Sequence, residues 1–204
     1  MTETTASPSM LDRFRWLSNE IILGTLIAVL SIFTGVASYQ GSMTDSDQNK
    51  NEIKAMQTLT DANAEYLTAN QFIVYDYNMY DAWYLDETGD KAEYFESSFS
   101  EQLTASIAAN PEDPFAETYY DAMYQTANDL FAEADSTFEL ASKFDDRGDS
   151  LQLVMLITAI GLAFAAWASL LNEKSNMRLM FAILAIITTV LGVMAYLQVP
   201  VVAG

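Results

Sequence analysis

The chain of 204 residues contains no cysteine and no histidine, and each absence excludes a class of chemistry. Without cysteine there are no disulfides, iron–sulfur clusters or thiol nucleophiles, and without histidine the commonest metal ligand and general base is missing. The sequence also has no glycine-rich phosphate loop and no GxSxG nucleophile motif. We therefore expect a protein that is not an enzyme and that holds no metal or other cofactor.

Basic residues are scarce, and they are unevenly placed. The chain has 28 acidic and 9 basic residues, which gives a formal net charge of −19. Residues 42–150 contain 24 of the acids and 5 of the bases, so the remainder of the chain is neutral. Nucleic acids bind to basic surfaces, and we therefore expect no nucleic acid partner.

Three long runs have no charged residue, and each is long enough to cross the hydrocarbon core of a bilayer, which takes about 20 helical residues. We predict an all-α integral membrane protein whose main partner is the lipid bilayer. Its segments are a disordered cytoplasmic N-terminus (1–15), a first transmembrane helix that acts as a signal anchor (16–40), an acidic α-helical extracytoplasmic domain (41–150), a second transmembrane helix (151–171), a cytoplasmic turn (172–178), a third transmembrane helix (179–198) and an extracytoplasmic tail (199–204).

The orientation follows from the basic residues that flank these runs, because short cytoplasmic segments carry an excess of lysine and arginine. We expect the interface anchors on the cytoplasmic side of the cell membrane to be Arg13, Arg15, Trp16, Lys174 and Arg178. An alternative for the first run is a cleaved signal peptide, because the small residues Gly35 and Ala37 suit a cleavage site.

The acidic segment has few of the glycines and prolines that end helices. Between Gly41 and Gly148 it contains one glycine, Gly89, and two prolines, Pro111 and Pro114. We predict three helices, over about 44–85, 91–109 and 114–146, with Asn110 or Asp113 as the N-cap of the third. Because the first helix follows one span and the third leads into another, one expectation is that both continue out of the membrane as a stalk. The places where a break or bend is expected are Gly41-Ser42 and Gly148.

The first of these helices carries a heptad pattern of the coiled-coil kind, which runs from Met56 to Tyr84 and which we call the predicted seam. The two shorter helices cannot cover it, so we expect it to bind a second copy of the chain or, alternatively, to line a ligand pocket. This predicted oligomer or ligand surface comprises Leu59, Asn63, Tyr66, Asn70, Ile73, Tyr77, Tyr80, Trp83 and Tyr84. Asn63 and Asn70 would fix the register of a coiled coil, or would contact a polar ligand.

Small residues spaced for close helix packing recur in the spans, and these are Gly24, Ala28, Gly35, Gly161, Ala165 and Ser169. Glu20 lies at the cytoplasmic edge of the first span, and no charged residue lies deeper in any span, which argues against ion or proton transport by this chain alone. A pore would need a polar lining, and the spans offer only serine and threonine for it.

The layout of one span, an extracytoplasmic helical segment and a return span resembles that of chemoreceptor sensor regions, although the third span departs from it. The function we expect is that of a membrane scaffold or accessory subunit that forms homo-oligomers through its outer helices and its spans. The alternatives are an extracytoplasmic sensing or ligand-binding module that signals through another membrane protein, and an oligomeric pore.

Overall fold

The computed structural model describes residues 10–86 and 88–202, and this part of the chain contains helices and no strand. A 3₁₀-helix, Met10–Ser18, comes first. The α-helices that follow are α1 (Glu20–Tyr84), α2 (Ala92–Glu96), α3 (Glu101–Ala109), α4 (Glu117–Leu170) and α5 (Asn176–Leu197). The prediction of an all-helical chain is confirmed for the described residues.

Three of these helices, α1, α4 and α5, are long and apolar enough to cross a membrane. The mean hydropathy of their most apolar windows is 2.2, 2.2 and 2.3. The prediction of three helices that can span a bilayer is therefore confirmed.

The chain divides into two compact units. The first, which we call the apolar unit, comprises Met1–Asn49 and Ala141–Gly204, and the second, the acidic unit, comprises Lys50–Leu140. Helices α1 and α4 contribute residues to both units, whereas α2 and α3 belong to the acidic unit and α5 belongs to the apolar unit. The first and last residues of the predicted 41–150 domain thus belong to the apolar unit.

Neither Gly41 nor Gly148 interrupts a helix, so the expectation that the outer helices continue from the spans is confirmed and the expectation of a break at these glycines was wrong. Helix α1 continues through Gly41, and α4 continues through Gly148. A Cβ atom added to Gly148 would lie 2.8 Å from Oδ1 of Asp45, and one added to Gly41 would lie 3.8 Å from Cβ of Leu151. The glycine at position 148 therefore allows α1 and α4 to approach closely within the apolar unit.

The helix predicted over residues 91–109 is in fact two helices, α2 and α3, so that prediction was wrong. The chain turns at Ser100, whose φ and ψ of −63° and 159° are those of extended backbone. The hydroxyl of Ser100 accepts a hydrogen bond from the backbone N–H of Leu103 at 3.0 Å. Ser100 is thus the N-cap of α3, a role for which serine is well suited.

The last helix of the acidic unit begins later than predicted, since α4 starts at Glu117. Pro114 lies in the turn before it, and the carbonyl of Pro114 accepts a hydrogen bond from the hydroxyl of Ser106 at 2.6 Å. Asn110 ends α3 as its C-cap. The prediction that Asn110 or Asp113 would be the N-cap of this helix was wrong.

The ends of the predicted segments also shift. Residues 10–15 were predicted to be disordered with the rest of 1–15, but they belong to the 3₁₀-helix, while residues 1–9 lie outside the described part. Helix α1 begins at Glu20 and not at residue 16, and α5 begins at Asn176, inside the predicted turn of 172–178. Residues 199–202 of the predicted tail are not helical, and 203–204 lie outside the described part.

The three long helices meet inside the apolar unit through glycines and threonines. A Cβ atom added to Gly161 would lie 2.6 Å from Oγ1 of Thr188, and one added to Gly192 would lie 2.8 Å from Cγ2 of Thr158. Thr158 is fully buried, and its hydroxyl accepts a hydrogen bond from the hydroxyl of Thr34 at 2.8 Å. Small residues on α4 and α5 therefore let these helices pack closely against each other and against α1.

Candidate interaction surface

The interior of the acidic unit is organised around the carboxylate of Asp76, which is fully buried. Its Oδ1 accepts a hydrogen bond from the backbone N–H of Ser100 at 2.9 Å. Its Oδ2 accepts hydrogen bonds from the hydroxyls of Ser100 and Tyr119 at 2.5 and 2.8 Å. These groups come from α1, the start of α3, and α4, so Asp76 joins three helices through donors that carry no charge.

Tyr119 is only 1% exposed. Its burial and its hydrogen bond to Asp76 raise the pKa of the Tyr119 hydroxyl well above the usual value of 10.0. The hydroxyl therefore stays protonated at neutral pH and continues to donate to Asp76.

An aromatic core surrounds this junction. Ile73, Leu103 and Tyr119 form its buried centre, and the residues packed against them include Tyr80, Phe99 and Phe115. The ring of Tyr80 lies 5.3 Å from that of Phe115 in an edge-to-face arrangement, which is a favourable geometry for aromatic pairs. Two residues of the predicted surface, Ile73 and Tyr80, are therefore engaged inside the chain.

Two further residues of the predicted surface also have partners within the acidic unit. The ring of Tyr77 stacks on that of Phe115 with 4.1 Å between centroids, and its hydroxyl shares a hydrogen bond with that of Tyr120. This hydrogen bond, together with burial, raises the pKa of Tyr120 to about 12. The indole N–H of Trp83 donates to Oε1 of Glu96 at 3.0 Å. Tyr77 thus packs against the chain itself, whereas Trp83 also lines, with Phe99 and Ile107, a pocket of about 290 Å³.

The two asparagines of the predicted seam differ in their surroundings. The side-chain carbonyl of Asn70 accepts a hydrogen bond from the hydroxyl of Tyr124 at 2.8 Å, and the ring of Tyr124 stacks on that of Tyr66. Asn63 is exposed, and its amide donates only to the carbonyl of Leu59 at 2.8 Å. Asn70 is therefore used within the chain, whereas the carbonyl of Asn63 points to no partner among the described residues.

Along most of the predicted seam, the buried residues of α1 come one position before the seam residues in the sequence. It carries alanines at intervals of seven residues, Ala55, Ala62 and Ala69, which are 0%, 0% and 6% exposed. Met56, which begins the predicted seam, is 61% exposed. The seam that packs inside the acidic unit is therefore built on alanine, and we call it the alanine seam.

Helix α4 supplies the other side of the alanine seam with Ala127 and Ala134, which are 1% and 0% exposed. The two helices are antiparallel, because Lys54 pairs with Glu133 at 3.4 Å while Asp76, further along α1, bonds to Tyr119. Alanine projects only a methyl group, so helices that meet along alanines can approach closely.

A different side of α1 is exposed, and it repeats the heptad spacing. Ile53, Met56, Leu67 and Val74 are each 58% to 61% exposed. We call the whole set the exposed stripe. Its exposed members are Ile53, Met56, Thr60, Asn63, Leu67 and Val74, and its spacing is completed by Asn70 and Tyr77, which also contact Tyr124 and Tyr120 of the same chain. These positions are separated by three and four residues in alternation, as in one side of a coiled coil.

Charged residues avoid the exposed stripe. Residues 53–78 contain four charged side chains, namely Lys54, Asp61, Glu65 and Asp76. When Ile53 is taken as heptad position a, the stripe occupies positions a and d, and the positions that flank it on the helix surface are e and g. The four charged residues occupy positions b, c and f, away from the stripe. In a chain with a net charge of −19, a face of this length without charge is one along which two copies would place no like charges directly opposite each other.

Two adjoining grooves lie on another side of the acidic unit. The first has a volume of about 340 Å³ and is lined by residues that include Glu65, Phe72, Glu101 and Met123. The second, of about 350 Å³, shares Glu101 with it and is also lined by Tyr119. Within the described residues no basic side chain lines either groove, so their chemistry suits a cationic, partly apolar ligand.

The small residues predicted to pack between spans fall into two groups. Gly161 and Ala165 are buried within the apolar unit. The others are exposed, and these are Gly24, Ala28, Gly35 and Ser169. A Cβ atom added to Gly24 or Gly35 would find nothing within 4 Å. Gly24 and Gly35 of α1 thus have no close neighbour on another helix in the described part of the chain.

The predicted interface anchors also differ in burial. Trp16 is 63% exposed, whereas Arg178 is only 2% exposed. The guanidinium of Arg178 donates through Nε to the carbonyl of Ser18 and through Nη1 to that of Leu171, both at 2.9 Å. Arg178 therefore binds the ends of the 3₁₀-helix and of α4, where a positive charge is favoured. The side chain of Arg13 lies outside the described part.

The sequence interpretation missed Asp76, Ser100 and the alanine seam. The signal for Asp76 was an acidic residue inside an aromatic run, and the signal for Ser100 was a serine at the start of a helix. Neither stood out, because acidic residues and serines are common in this chain. The alanines repeat every seventh residue, but alanine also occurs at many other positions of the sequence.

Comparison with known proteins finds no matching protein-family model, no similar curated sequence and no similar solved structure. In the described part of the chain, no group of three or more acidic residues is placed to hold a metal ion.

Proposed function

We propose that this chain is an integral membrane scaffold or accessory subunit, without enzymatic activity, that self-associates through the exposed stripe of α1. In this proposal α1, α4 and α5 span the cell membrane, and the acidic unit lies on its outer side. The basic residues Arg13, Arg15, Lys174 and Arg178, all outside the acidic unit, support this orientation.

The observation that carries the proposal is the exposed stripe itself, which combines heptad spacing with the absence of charge. The partner that best fits it is a second copy, because a heptad face is complementary to an identical face. An unrelated basic partner would instead be attracted to the acidic sides of the unit. The exposed Asn63, in the middle of the stripe, would fix the register and the number of chains.

The energy available from the exposed stripe is moderate. Ile53, Met56, Leu67 and Val74 are about 60% exposed, and full burial of such a side chain is worth about 1.5–3 kcal/mol. The four together contribute roughly 4–7 kcal/mol per copy. Association of two free proteins costs about 4–15 kcal/mol in lost freedom. Since copies anchored in one bilayer have already lost part of that freedom, the stripe is sufficient there.

The experiment that tests the proposal is a mass measurement of the full-length protein in mild detergent. We expect the wild type to have the mass of an oligomer. Replacing Leu67 and Val74 together with aspartate should reduce it to the mass of a monomer, because acidic groups would then face each other across the interface. The matched control is Leu85→Asp, since Leu85 is 72% exposed and lies off the stripe.

A monomeric wild type, or a double variant that keeps the mass of the wild type, would contradict self-association through this stripe. The second candidate function is then a ligand-binding module that acts through another membrane protein. The adjoining grooves beside Glu65, Phe72 and Glu101 favour it, because two carboxylates and an aromatic ring suit a cationic ligand.

A further inference from the structure

A pocket of about 290 Å³ lies at one end of the apolar unit, where the 3₁₀-helix meets the turn between α4 and α5. It is lined by Arg15, Trp16, Ser18, Asn19, Glu173 and Lys174. Two of these six side chains are cationic and one is anionic. This is unusual in a chain in which acids outnumber bases by 28 to 9.

A third positive charge lies directly behind this pocket. Arg178 is 2% exposed and donates to the carbonyl of Ser18, a residue of the pocket wall. Its two hydrogen-bond partners are both carbonyls, and its Nη2 is buried with no partner among the described residues. Among the residues that the structure describes, no carboxylate is paired with this guanidinium, so its charge acts on the adjoining pocket through a poorly polarisable interior.

The polar groups of the pocket are mostly hydrogen-bond donors. The side-chain carbonyl of Asn19 already accepts from the backbone N–H of Ile21 at 2.9 Å, which leaves the amide group of Asn19 as a donor. Arg15 and Lys174 carry donors only. The backbone N–H groups at the start of α1 add a positive partial charge beside Asn19. A ligand that complements this set carries negative charge and several acceptor oxygens, as a phosphate group does.

We propose that this pocket binds a phosphate group, supplied by the headgroup of an anionic phospholipid. Trp16 stands 63% exposed beside the pocket, as tryptophans do at the headgroup level of a membrane, and this favours a lipid as the source. The inference rests on the membrane insertion that is part of the proposed function. Glu173 lowers the affinity, because its carboxylate repels the phosphate.

The test is native mass spectrometry of the full-length protein, released from a non-ionic detergent with added phosphatidylglycerol or phosphatidylcholine. We expect several-fold more bound phosphatidylglycerol than phosphatidylcholine. Millimolar inorganic phosphate is then added. If phosphate displaces the lipid, the pocket recognises the phosphate ion alone. If the lipid is retained, the pocket recognises the lipid headgroup. Either result supports the site.

Variants that remove charged groups from the pocket should change phosphatidylglycerol binding in a direction that depends on the sign of the charge removed. Arg15→Gln combined with Lys174→Gln should weaken phosphatidylglycerol binding, by about fivefold for each charge removed, and Glu173→Gln should strengthen it by a similar factor. The matched control is Lys91→Gln combined with Lys143→Gln, which removes the same charge elsewhere and should change nothing. If the double variant proves unstable, Glu173→Gln still tests the proposal.

Equal binding of the two lipids, or unchanged binding in the Arg15 and Lys174 variant or in Glu173→Gln, would overturn the site. The same spectra report the number of subunits. A monomer that still prefers phosphatidylglycerol would contradict self-association and leave the phosphate site standing, whereas an oligomer without that preference would do the reverse.

Discussion

Replacing Asp76 with alanine should destabilise the acidic unit more than any other single substitution of an acidic residue in this chain. Asp76 accepts three hydrogen bonds, two from Ser100 and one from Tyr119. Removing the carboxylate leaves these donors without a partner in the protein interior, and an unpaired buried donor costs about 1–3 kcal/mol.

The size of the effect follows from the burial of each donor. Tyr119 is 1% exposed, so water cannot replace Asp76 there, whereas Ser100 is only half-buried and can be partly hydrated. We therefore expect Asp76→Ala to cost about 3–5 kcal/mol, which is a large part of the stability of a typical domain. Asp76→Asn should cost roughly 1–2 kcal/mol, because the amide oxygen can still accept from the backbone N–H of Ser100.

Urea unfolding of the full-length protein in mild detergent measures this cost. Trp83 is a suitable fluorescent reporter, because it lies in the acidic unit and contacts Phe99, and the other tryptophans, Trp16 and Trp167, can be replaced with phenylalanine. The matched control is Asp81→Ala, on the same helix but exposed, which should change the free energy of unfolding by less than about 0.5 kcal/mol. An Asp76→Ala protein within about 1 kcal/mol of the wild type would refute the structural role of this carboxylate.

Two further predictions concern alkaline pH and the packing of the spans. Because the pKa of Tyr119 is raised in the folded state, the unfolded chain loses this proton first as the pH rises past 10.0, so stability should fall above that pH. Tyr119→Phe should flatten this fall in urea midpoints measured across the alkaline range, and an unchanged slope would show that the Tyr119 hydroxyl is not its cause. Gly161→Val should lower the melting temperature of the apolar unit, because its Cβ would lie 2.6 Å from Oγ1 of Thr188. The cost should be about 1–3 kcal/mol, whereas Gly24→Val, in open space, should leave the temperature unchanged, and equal effects of the two would contradict this packing.

The membrane-length helices could be predicted from the sequence because their signal is physical and local. A run of about 20 residues without charge is what the hydrocarbon core of a bilayer requires, and few other structures need it. The helix ends were harder to predict. Glycines at 41 and 148 are common signs of a break, but in this chain they permit close contact with a neighbouring helix that the sequence does not reveal.

The predicted seam was displaced because it follows the large apolar side chains, whereas alanine forms much of the buried side of α1. The members of the pattern read from Met56 to Tyr84 range from 74% exposed at Tyr84 to 8% at Ile73. Ala55, Ala62 and Ala69 are buried, but they carry little signal because alanine also occurs at many other positions of the sequence. The importance of Asp76 could not be predicted either, because its partners lie 24 and 43 residues away and the chain has 28 acidic residues to choose from.

The alanine seam also determines which mutations the acidic unit tolerates along its length. Around Ala55, Ala62 and Ala134, a side chain has only one methyl group to lose, so truncation removes little, and enlargement is the damaging change because it separates two closely packed helices. Around Ile73 and Tyr119 the reverse holds, since large side chains fill the core and their truncation would leave a cavity. We therefore expect the two ends of the acidic unit to tolerate opposite changes. Substitutions that add volume should be damaging along the alanine seam, and substitutions that remove volume should be damaging around Ile73 and Tyr119.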